Sequence, residues 1–175
     1  MNLIISFSAR TNGNCDEIAS YVSSNNDKII YFRNTNNSPC SNCNYECFDG
    51  ECIYRNDDVY SIYEEMVSYD KVILIVPMYG GNPSSLYFIF NERSQDYFMH
   101  NDNYEEIIKR LYIIGVYGSK EEYPDFIPCL EKWFVDSTYN DRVLGIERHL
   151  YNQQLNDSVL AIKQVKDVIV EFMKR

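Results

Sequence analysis

The sequence predicts an α/β fold in which a parallel β-sheet is covered by helices on both faces. Five short apolar runs recur along the 175 residues, and they span residues 3–7, 28–32, 71–76, 111–117 and 142–146. Each run is continuous rather than alternating, which is typical of strands that are buried on both faces. The stretches between them carry apolar residues at helical spacing. Regular alternation of strand and helix indicates a parallel sheet with right-handed crossovers.

The clearest helical pattern follows the fifth run. Six apolar residues share one face of a helix there: Leu155, Val159, Ile162, Val165, Ile169 and Phe172. Lysines and acidic residues lie off that face. We therefore predict a final amphipathic helix that packs against the sheet.

Five strands in this arrangement favour the strand order 2-1-3-4-5 of the flavodoxin-like three-layer sandwich. We expect one domain over residues 1–175, with residues 33–56 forming a Cys-rich insertion after the second strand. In open sheets of this kind, ligands bind outside the carboxyl ends of the strands, where the strand order reverses. A site is therefore expected in the loops after the first, third and fourth strands.

Composition limits the classes of function. The chain has 16 Lys and Arg against 26 Asp and Glu, a formal net charge of −10. Because this charge repels a phosphate backbone, no nucleic-acid partner is expected. Neither a signal peptide nor an apolar run of about 20 residues is visible, so we predict a cytoplasmic protein with no membrane partner. The six cysteines are then expected to be thiols, redox residues or metal ligands rather than disulfides.

The first candidate loop follows the first strand. It combines a hydroxyl, an arginine and an amide-rich glycine turn in the residues Ser8, Arg10, Asn12, Gly13, Asn14 and Cys15. Asn14 followed by Glu17 resembles a capping box, so a helix is predicted to begin there. N–H groups at a helix N-terminus beside an arginine suit a dianionic phosphate, and a plain turn is the alternative. The loop lacks the Walker A ending and the glycine pattern of dinucleotide-binding loops.

Two further loops at the same sheet edge carry small, aromatic and polarizable residues: Pro77, Met78, Tyr79 and Gly80 in one, and Tyr117, Gly118 and Ser119 in the other. Glycine lets the backbone approach a flat ring closely, and Met78 and Tyr79 offer polarizable and planar surface. Asn82 is also expected to cap a helix whose first residue is Pro83. A glycine turn beside a core tyrosine is the alternative interpretation.

The most specific single feature is a cluster of four cysteines: Cys40, Cys43, Cys47 and Cys52. Four thiolates so close in sequence can enclose a tetrahedral metal ion or a cubane cluster. Three alternatives stay open, namely a 4Fe-4S cluster, a set of free or redox-active thiols, and a zinc site. No cysteine has the Cys-x5-Arg spacing of a thiol phosphatase, so that class is not expected.

These motifs resemble a known family. The loop from Ser8 to Cys15 is similar to the Gly-Ser-Pro-Arg-x-x-Gly-Asn-Thr phosphate loop of the NADPH-dependent FMN reductase family, within the flavodoxin-like superfamily. Over roughly residues 1–120, the cysteines, the loop that begins at Pro77 and the Phe90-x-x-Arg93 motif resemble the iron–sulfur flavoprotein branch in content and order. That branch more often has two residues between its second and third cysteines, where this chain has three.

The resemblance implies a bound flavin mononucleotide (FMN). Its phosphate would be held by the six residues of the first loop, and its isoalloxazine ring would lie beside Pro77, Met78, Tyr79 and Gly80. The resemblance also implies NAD(P)H as the electron donor and a homodimer as the assembly.

The leading hypothesis is an FMN-dependent oxidoreductase that takes hydride from a reduced nicotinamide and passes electrons to a small-molecule acceptor or a redox protein. Because the flavin does the chemistry, no side-chain acid or base is required and no catalytic residue is predicted. With a 4Fe-4S cluster in the cysteine loop, the flavin would instead exchange single electrons with that cluster. The alternative from another class is a non-catalytic flavodoxin-like module whose cysteine loop binds zinc or a protein partner.

Overall fold

A parallel β-sheet forms the centre of the protein. The computed structural model describes residues 1–41, 43–135, 138–139 and 141–175. Its strands are β1 (Asn2–Ser6), β2 (Lys28–Tyr31), β3 (Lys71–Tyr79), β4 (Asn82–Pro83), β5 (Leu111–Tyr117) and β6 (Val143–Glu147). Five of them are parallel in the order β2-β1-β3-β5-β6, and β4 folds back antiparallel on the end of β3. The predicted five-stranded order is confirmed, with β4 as an addition.

The central strands are buried on both faces, and this burial explains their continuous apolar runs. Ile4 of β1 pairs with Ile29 of β2 and with Ile73 of β3, and this row packs on one face of the sheet. Leu3 and Ile5 point to the opposite face, where a second core lies. Because both faces are covered, the consecutive residues Leu3, Ile4 and Ile5 are all apolar and fully buried.

Helices cover both faces and make the three layers that the sequence predicts. Helices α1 (Asn14–Val22) and α7 (Lys163–Met173) pack on one face. The other face is covered by α3 (Asp58–Met66), α4 (Ser85–His100), α5 (Tyr104–Ile108) and α6 (Phe126–Glu131), while α2 (Glu46–Asp49) lies in the Cys-rich insertion. In the part of the chain that the structure describes, no helix has both the length and the apolar composition to cross a membrane.

Aromatic side chains fill the core between the sheet and α3 and α4. Phe7, directly after β1, lies 5.2 Å from the ring of Phe90 on α4, and Phe90 stacks on Tyr63 of α3 at 4.4 Å. The Tyr63 hydroxyl donates to the Phe90 carbonyl at 2.8 Å, so its buried polar end is satisfied. This packing ties α4 to the strand that opens the candidate site.

The predicted final helix is shorter than its apolar pattern. It begins at Lys163, residues Val159–Ala161 form a 3₁₀ turn, and Leu155 is 71% exposed rather than packed. The prediction for residues 155–162 is therefore wrong. The physical reason is a competing tertiary bond, because the Val159 N–H donates to Asn14 Oδ1 at 2.8 Å and holds this segment against the start of α1.

Candidate functional site

A cavity of about 890 Å³ opens at the carboxyl edge of the sheet, where the strand order reverses. Its walls come from the segments that follow β1, β3, β5 and β6. Most residues proposed from the sequence for a flavin site line it: Ser8, Arg10, Asn12, Gly13, Asn14, Cys15, Pro77, Met78, Tyr79, Tyr117 and Gly118. The fold thus brings three loops that are distant in sequence to one cavity.

The loop after β1 is held in shape by its own hydroxyl. Ser8 Oγ accepts from the Arg10 N–H at 3.1 Å, donates to the Arg10 carbonyl at 3.0 Å, and lies 3.3 Å from the Tyr79 hydroxyl. Arg10 itself is exposed, with its guanidinium 5.7 Å from the centre of the Tyr79 ring. None of the ion pairs among the described residues involves Arg10, so its charge is available to an anion.

A buried carboxylate beneath this loop was not singled out from the sequence. Asp16 accepts from the Asn12 N–H at 2.9 Å, which supports the left-handed backbone of Asn12 at φ 56°. Asp16 also accepts from Ser6 Oγ at 2.9 Å and from both terminal nitrogens of Arg33 at 2.9 Å. Arg33 lies after β2, so this ion pair connects two strands to the loop. A two-nitrogen pair of this kind is the strong form of a charge-assisted bond.

The start of α1 presents open hydrogen-bond donors to the cavity. Gly13 is the N-cap, and its carbonyl accepts from the N–H groups of Asp16 and Glu17. The N–H groups of Gly13, Asn14 and Cys15 have no acceptor within the described ranges. A helix N-terminus with free N–H groups carries partial positive charge and suits a phosphate.

The predicted capping box is wrong, although the helix begins at Asn14 as expected. The N-cap Gly13 has no side-chain cap, and Asn14 and Glu17 turn instead to the segment after β6. Asn14 Nδ2 donates to the Asp157 carbonyl at 3.2 Å, and Ser158 Oγ donates to the Glu17 carboxylate. The Asn14 side chain therefore holds a cavity wall, and its backbone N–H is the group left for an anion.

Cys15 contributes its backbone rather than its sulfur. Its side chain is 3% exposed. Burial, together with the neighbouring Asp16 carboxylate, raises the pKa of the Cys15 thiol well above its ordinary value. The sulfur therefore stays a neutral thiol, and a thiolate nucleophile at this helix start is not supported.

The loop after β3 is a β-hairpin. Met78 pairs with Pro83 and Tyr79 with Asn82, and the turn uses Gly80 and Gly81 at φ 56° and 84°. Only glycine adopts such angles without strain. Met78 and Tyr79 line the cavity, whereas Gly80 lies in the turn beside it and does not line it.

The helix after this hairpin begins two residues later than predicted. Ser84 is its N-cap and accepts from the Tyr87 N–H, while Asn82 Nδ2 donates to the Gly80 carbonyl. The dipeptide Asn82–Pro83 is typical of a helix N-terminus because Pro favours the first helical turn. In the structure, however, Pro83 pairs with β3. Ser84 Oγ also donates to the Phe7 carbonyl at 2.8 Å, which joins the hairpin to the loop after β1.

The loop after β5 supplies the third wall through Tyr117 and Gly118. Burial and the Glu147 carboxylate raise the pKa of Tyr117, so its phenol stays neutral. Ser119 does not line the cavity, contrary to its proposed role, and its carbonyl accepts from the Tyr123 N–H at 3.1 Å. Tyr123 does line the cavity, and a Cβ at Gly81 would lie 2.9 Å from its ring. Tyr123 thus closes the gap between the second and third walls.

A fourth wall, formed by residues 148–158, was missed by sequence reasoning. Arg148 and His149 line the cavity, and the His149 N–H donates to the Gly118 carbonyl at 3.0 Å. Arg148 Nε and Gln153 Oε1 are buried atoms with no partner among the described residues. The available signal was positional, because β6 ends at the same sheet edge as the other parallel strands.

A second cavity, of about 510 Å³, lies beside the Cys-rich insertion. It is lined by Cys40, Cys43, Cys47 and Cys52, all present as free thiols. Residue 42, within the cluster, is outside the described residues. In the described ranges, no group of three or more His, Cys, Asp or Glu side chains is arranged to hold a single metal ion.

One face of α4 forms the floor of this cysteine cavity. Cys40 N–H donates to Glu92 Oε1 at 2.6 Å, and Gln95 Nε2 donates to Cys47 Sγ at 3.8 Å. One turn further along, Asp96 Oδ1 accepts from the Cys52 N–H at 3.2 Å. These contacts hold the cysteine segment against α4.

Charged side chains stabilise the region around the cysteine cavity. Asp96, 3% exposed, pairs with Arg55 at 2.9 Å, and the Arg55 guanidinium lies 4.6 Å from the centre of the Tyr60 ring. Burial and the Glu92 charge raise the pKa of the Cys40 thiol, while the charge of Arg93 opposes them. The cysteine cavity therefore has both signs of charge within reach of its sulfurs.

Comparison with curated proteins finds one partial relative. No known family profile matches the chain. An iron-sulfur flavoprotein of Clostridioides difficile (strain 630) is 30% identical over 100 residues, which are 52% of this chain and 44% of that protein. The chain thus spans less than half the length of this curated relative.

Solved structures match over nearly the whole chain. The Trp repressor binding protein from Bacillus subtilis is 17% identical with a TM-score of 0.66, covering 100% of this chain and 99% of that one. A flavone reductase is 12% identical with a TM-score of 0.61, over 99% and 60% of the two chains. An NADH:FMN oxidoreductase is 14% identical with a TM-score of 0.52, over 98% and 87%. The chain therefore has a flavodoxin-like fold.

Proposed function

We propose that this protein is a flavin-dependent oxidoreductase that binds FMN in the cavity at the carboxyl edge of the sheet. The observation that carries the proposal is the meeting of unpaired N–H groups at the start of α1 with the free charge of Arg10. This combination suits a phosphate dianion. The partial relative named as a flavoprotein and the fold likeness to an NADH:FMN oxidoreductase support the same assignment.

The cavity also fits the rest of FMN. Its volume of about 890 Å³ lies within the range of small-molecule sites. Met78 and Tyr117 offer polarizable and aromatic surface for the flavin ring, and Tyr79 lies between them and the phosphate loop. When bound there, FMN would supply hydride acceptance from NAD(P)H and electron delivery to a small-molecule acceptor or a redox protein.

The chain's own residues have definite parts in this proposal. Arg10 and the first N–H groups of α1 bind the phosphate, and Asp16 with Arg33 keeps their loop in one conformation. Tyr123 covers Gly81 and limits the access of water between two walls. No side-chain acid or base is assigned, since the neutral phenol of Tyr117 and the buried thiol of Cys15 suit neither task.

The four cysteines are proposed to hold a 4Fe-4S cluster. All four sulfurs line one cavity, whose volume of about 510 Å³ leaves room for more than one ion. A zinc ion on the same thiols is the alternative, and an iron and zinc assay distinguishes the two. A cluster would supply one-electron transfer, and the partial relative is named as an iron-sulfur protein.

An FMN titration tests the flavin site. Purified apoprotein is titrated with FMN, and binding is followed by quenching of flavin fluorescence. Arg10→Ala should weaken binding about tenfold to hundredfold, the worth of a charged hydrogen bond. Arg175→Ala removes an exposed arginine at the far end of α7 and serves as the matched control. Equal affinity in Arg10→Ala and in the control would refute the site.

A visible spectrum with flavin and iron assays, on protein purified without oxygen, tests both cofactors together. Flavin with about four irons per chain supports the flavin site and the cluster. Flavin without iron supports a simple flavin reductase in which the four cysteines are free thiols. A colourless protein that takes up no FMN would instead favour the non-catalytic module.

A homodimer is the assembly we propose. Leu150 and Leu155 are 70% and 71% exposed in the segment that forms the fourth wall, which is unusual for large apolar side chains. A second copy that covers them would also border the flavin-type cavity. Sedimentation should give a dimer that Leu155→Glu weakens, while Val168→Glu, an exposed apolar position on α7, serves as the control. A monomeric wild-type protein would contradict the proposal.

A further inference from the structure

Arg93 is the most deeply buried arginine in the neighbourhood of the cysteines. It lies on α4, and its side chain is 1% exposed. Its terminal nitrogen NH1 donates to the Ser38 carbonyl at 2.9 Å and to Asp57 at 2.6 Å. Its other terminal nitrogen donates to the Tyr54 carbonyl at 3.0 Å and lies 3.4 Å from Asp57. Arg93 therefore binds both ends of the cysteine segment.

The fifth donor of Arg93, its Nε–H, has no partner in the part of the chain that the structure describes. A guanidinium has five N–H groups, and the four on the terminal nitrogens point at the acceptors above. Its Nε is buried and has no acceptor among the described residues. A buried donor of a charged group is costly to leave unpaired, so each such atom calls for an explanation.

The position of Arg93 supplies that explanation. Arg93 lines the cysteine cavity together with all four thiols. Its charge interacts favourably with Cys40 and Cys52, on the two sides of the cluster of sulfurs. Arg55 provides the contrast, because it also pairs with a buried aspartate of this region but does not line the cavity.

We propose that Arg93 is the protein's redox-tuning residue for the cysteine site, with its Nε–H donating to a sulfur of the cluster that the four cysteines hold. This inference rests on the proposed 4Fe-4S cluster. Reduction adds one electron from the flavin, or from dithionite in an assay, and makes and breaks no bond. A nearby positive charge and a hydrogen bond to sulfur favour the more negative, reduced form. Arg93 therefore raises the reduction potential.

The test is a potentiometric titration of protein reconstituted with iron and sulfide under argon, followed by EPR of the reduced form. Arg93→Gln should shift the equilibrium at least tenfold toward the oxidised form, which is about 59 mV for a one-electron couple. Arg93→Lys keeps the charge without the planar donor and should shift it less. Arg175→Gln removes an exposed arginine that pairs with Asp141, and as the control it should stay close to wild type. An Arg93→Gln midpoint no lower than that of Arg175→Gln overturns the inference.

A second measurement detects the hydrogen bond directly in the wild-type protein. Wild-type protein labelled with ¹⁵N-arginine is reduced and examined by pulsed EPR. A ¹⁵N coupling to the cluster that disappears in Arg93→Lys supports the hydrogen bond, and its absence in wild type overturns it. The FMN titration on the same samples separates the two proposals. If the protein binds FMN but takes up no iron, the cluster and this inference are refuted and the flavin site stands. If it binds neither FMN nor iron, the proposed function is refuted.

Discussion

Replacement of Asp16 by Asn is the sharpest test of how the loop after β1 is held. The Asp16 side chain is 8% exposed and that of Arg33 is 14% exposed, and two N–O distances of 2.9 Å join them. The same carboxylate accepts from Ser6 and from the Asn12 N–H. An amide in its place keeps one acceptor oxygen and loses the charge. Arg33 would then lose one of its two acceptors on residue 16 and the opposite charge, and it would keep a 3.3 Å bond to the Ser8 carbonyl.

The expected loss of stability follows from this burial. Removal of one partner from a buried ion pair costs about 3–5 kcal/mol, because the other charge stays buried without compensation. Asn preserves one hydrogen bond, so we expect the lower end, about 3 kcal/mol. For a chain of this size, each kcal/mol lowers the Tm by about 2–4 °C. Asp16→Asn should therefore lower the Tm by about 6–12 °C.

Urea unfolding at 25 °C, followed by circular dichroism, measures this loss. Glu65→Gln is the matched control, because Glu65 forms an equally short ion pair with Lys28 whose lysine is 47% exposed. Such a surface pair is worth at most about 1 kcal/mol. A double-mutant cycle with Arg33→Gln should show strong coupling. If Asp16→Asn costs no more than Glu65→Gln, the buried pair does not organise the loop.

Three further predictions concern the core, acid stability and thiol reactivity. Gly115→Ala should destabilise the protein by about 1–3 kcal/mol in urea unfolding, because the new Cβ would lie 2.8 Å from Leu130 Cδ1. Burial acts to raise the pKa of Asp27, but four hydrogen bonds outweigh it and lower that pKa below its ordinary value. Asp27→Asn should therefore cost about 1–2 kcal/mol at pH 7, and the difference should vanish as the pH falls below about 4; a difference that persists in acid would contradict this. Iodoacetamide at pH 8 should modify the exposed Cys40 in folded protein that carries no cluster, and it should leave Cys15 unmodified until urea unfolds the chain, as peptide mass spectrometry would show.

Much of the fold could be predicted because burial leaves a local imprint on the sequence. A strand covered on both faces must be apolar at each position, so the run at residues 111–117 coincides with β5. The apolar pattern at residues 155–162 led to a wrong helix prediction, because tertiary bonds leave no such local imprint. Leu155 has helical spacing, but the tertiary bonds of Asn14 and Glu17 hold that segment as a cavity wall.

The candidate site could be predicted in outline and not in detail. Parallel strands place the loops after β1, β3 and β5 at one edge, which is a consequence of chain order alone. The hairpin at Gly80 and Gly81 could not be predicted, because Asn82 and Pro83 have the local chemistry of a helix cap as well as that of a short strand. The choice between them depended on pairing with Met78.

The sequence by itself determined the parallel α/β sheet, the loops that meet at its carboxyl edge and the grouping of four cysteines in one segment. Only the tertiary structure decided which charges are buried and what they support. Asp16 meets Arg33 across 17 residues and Arg93 meets Asp57 across 36, and each pair fixes a loop of one cavity. The physical reason is that hydrophobic periodicity is a property of neighbouring residues, whereas the partner of a buried charge is set by the packing of distant elements.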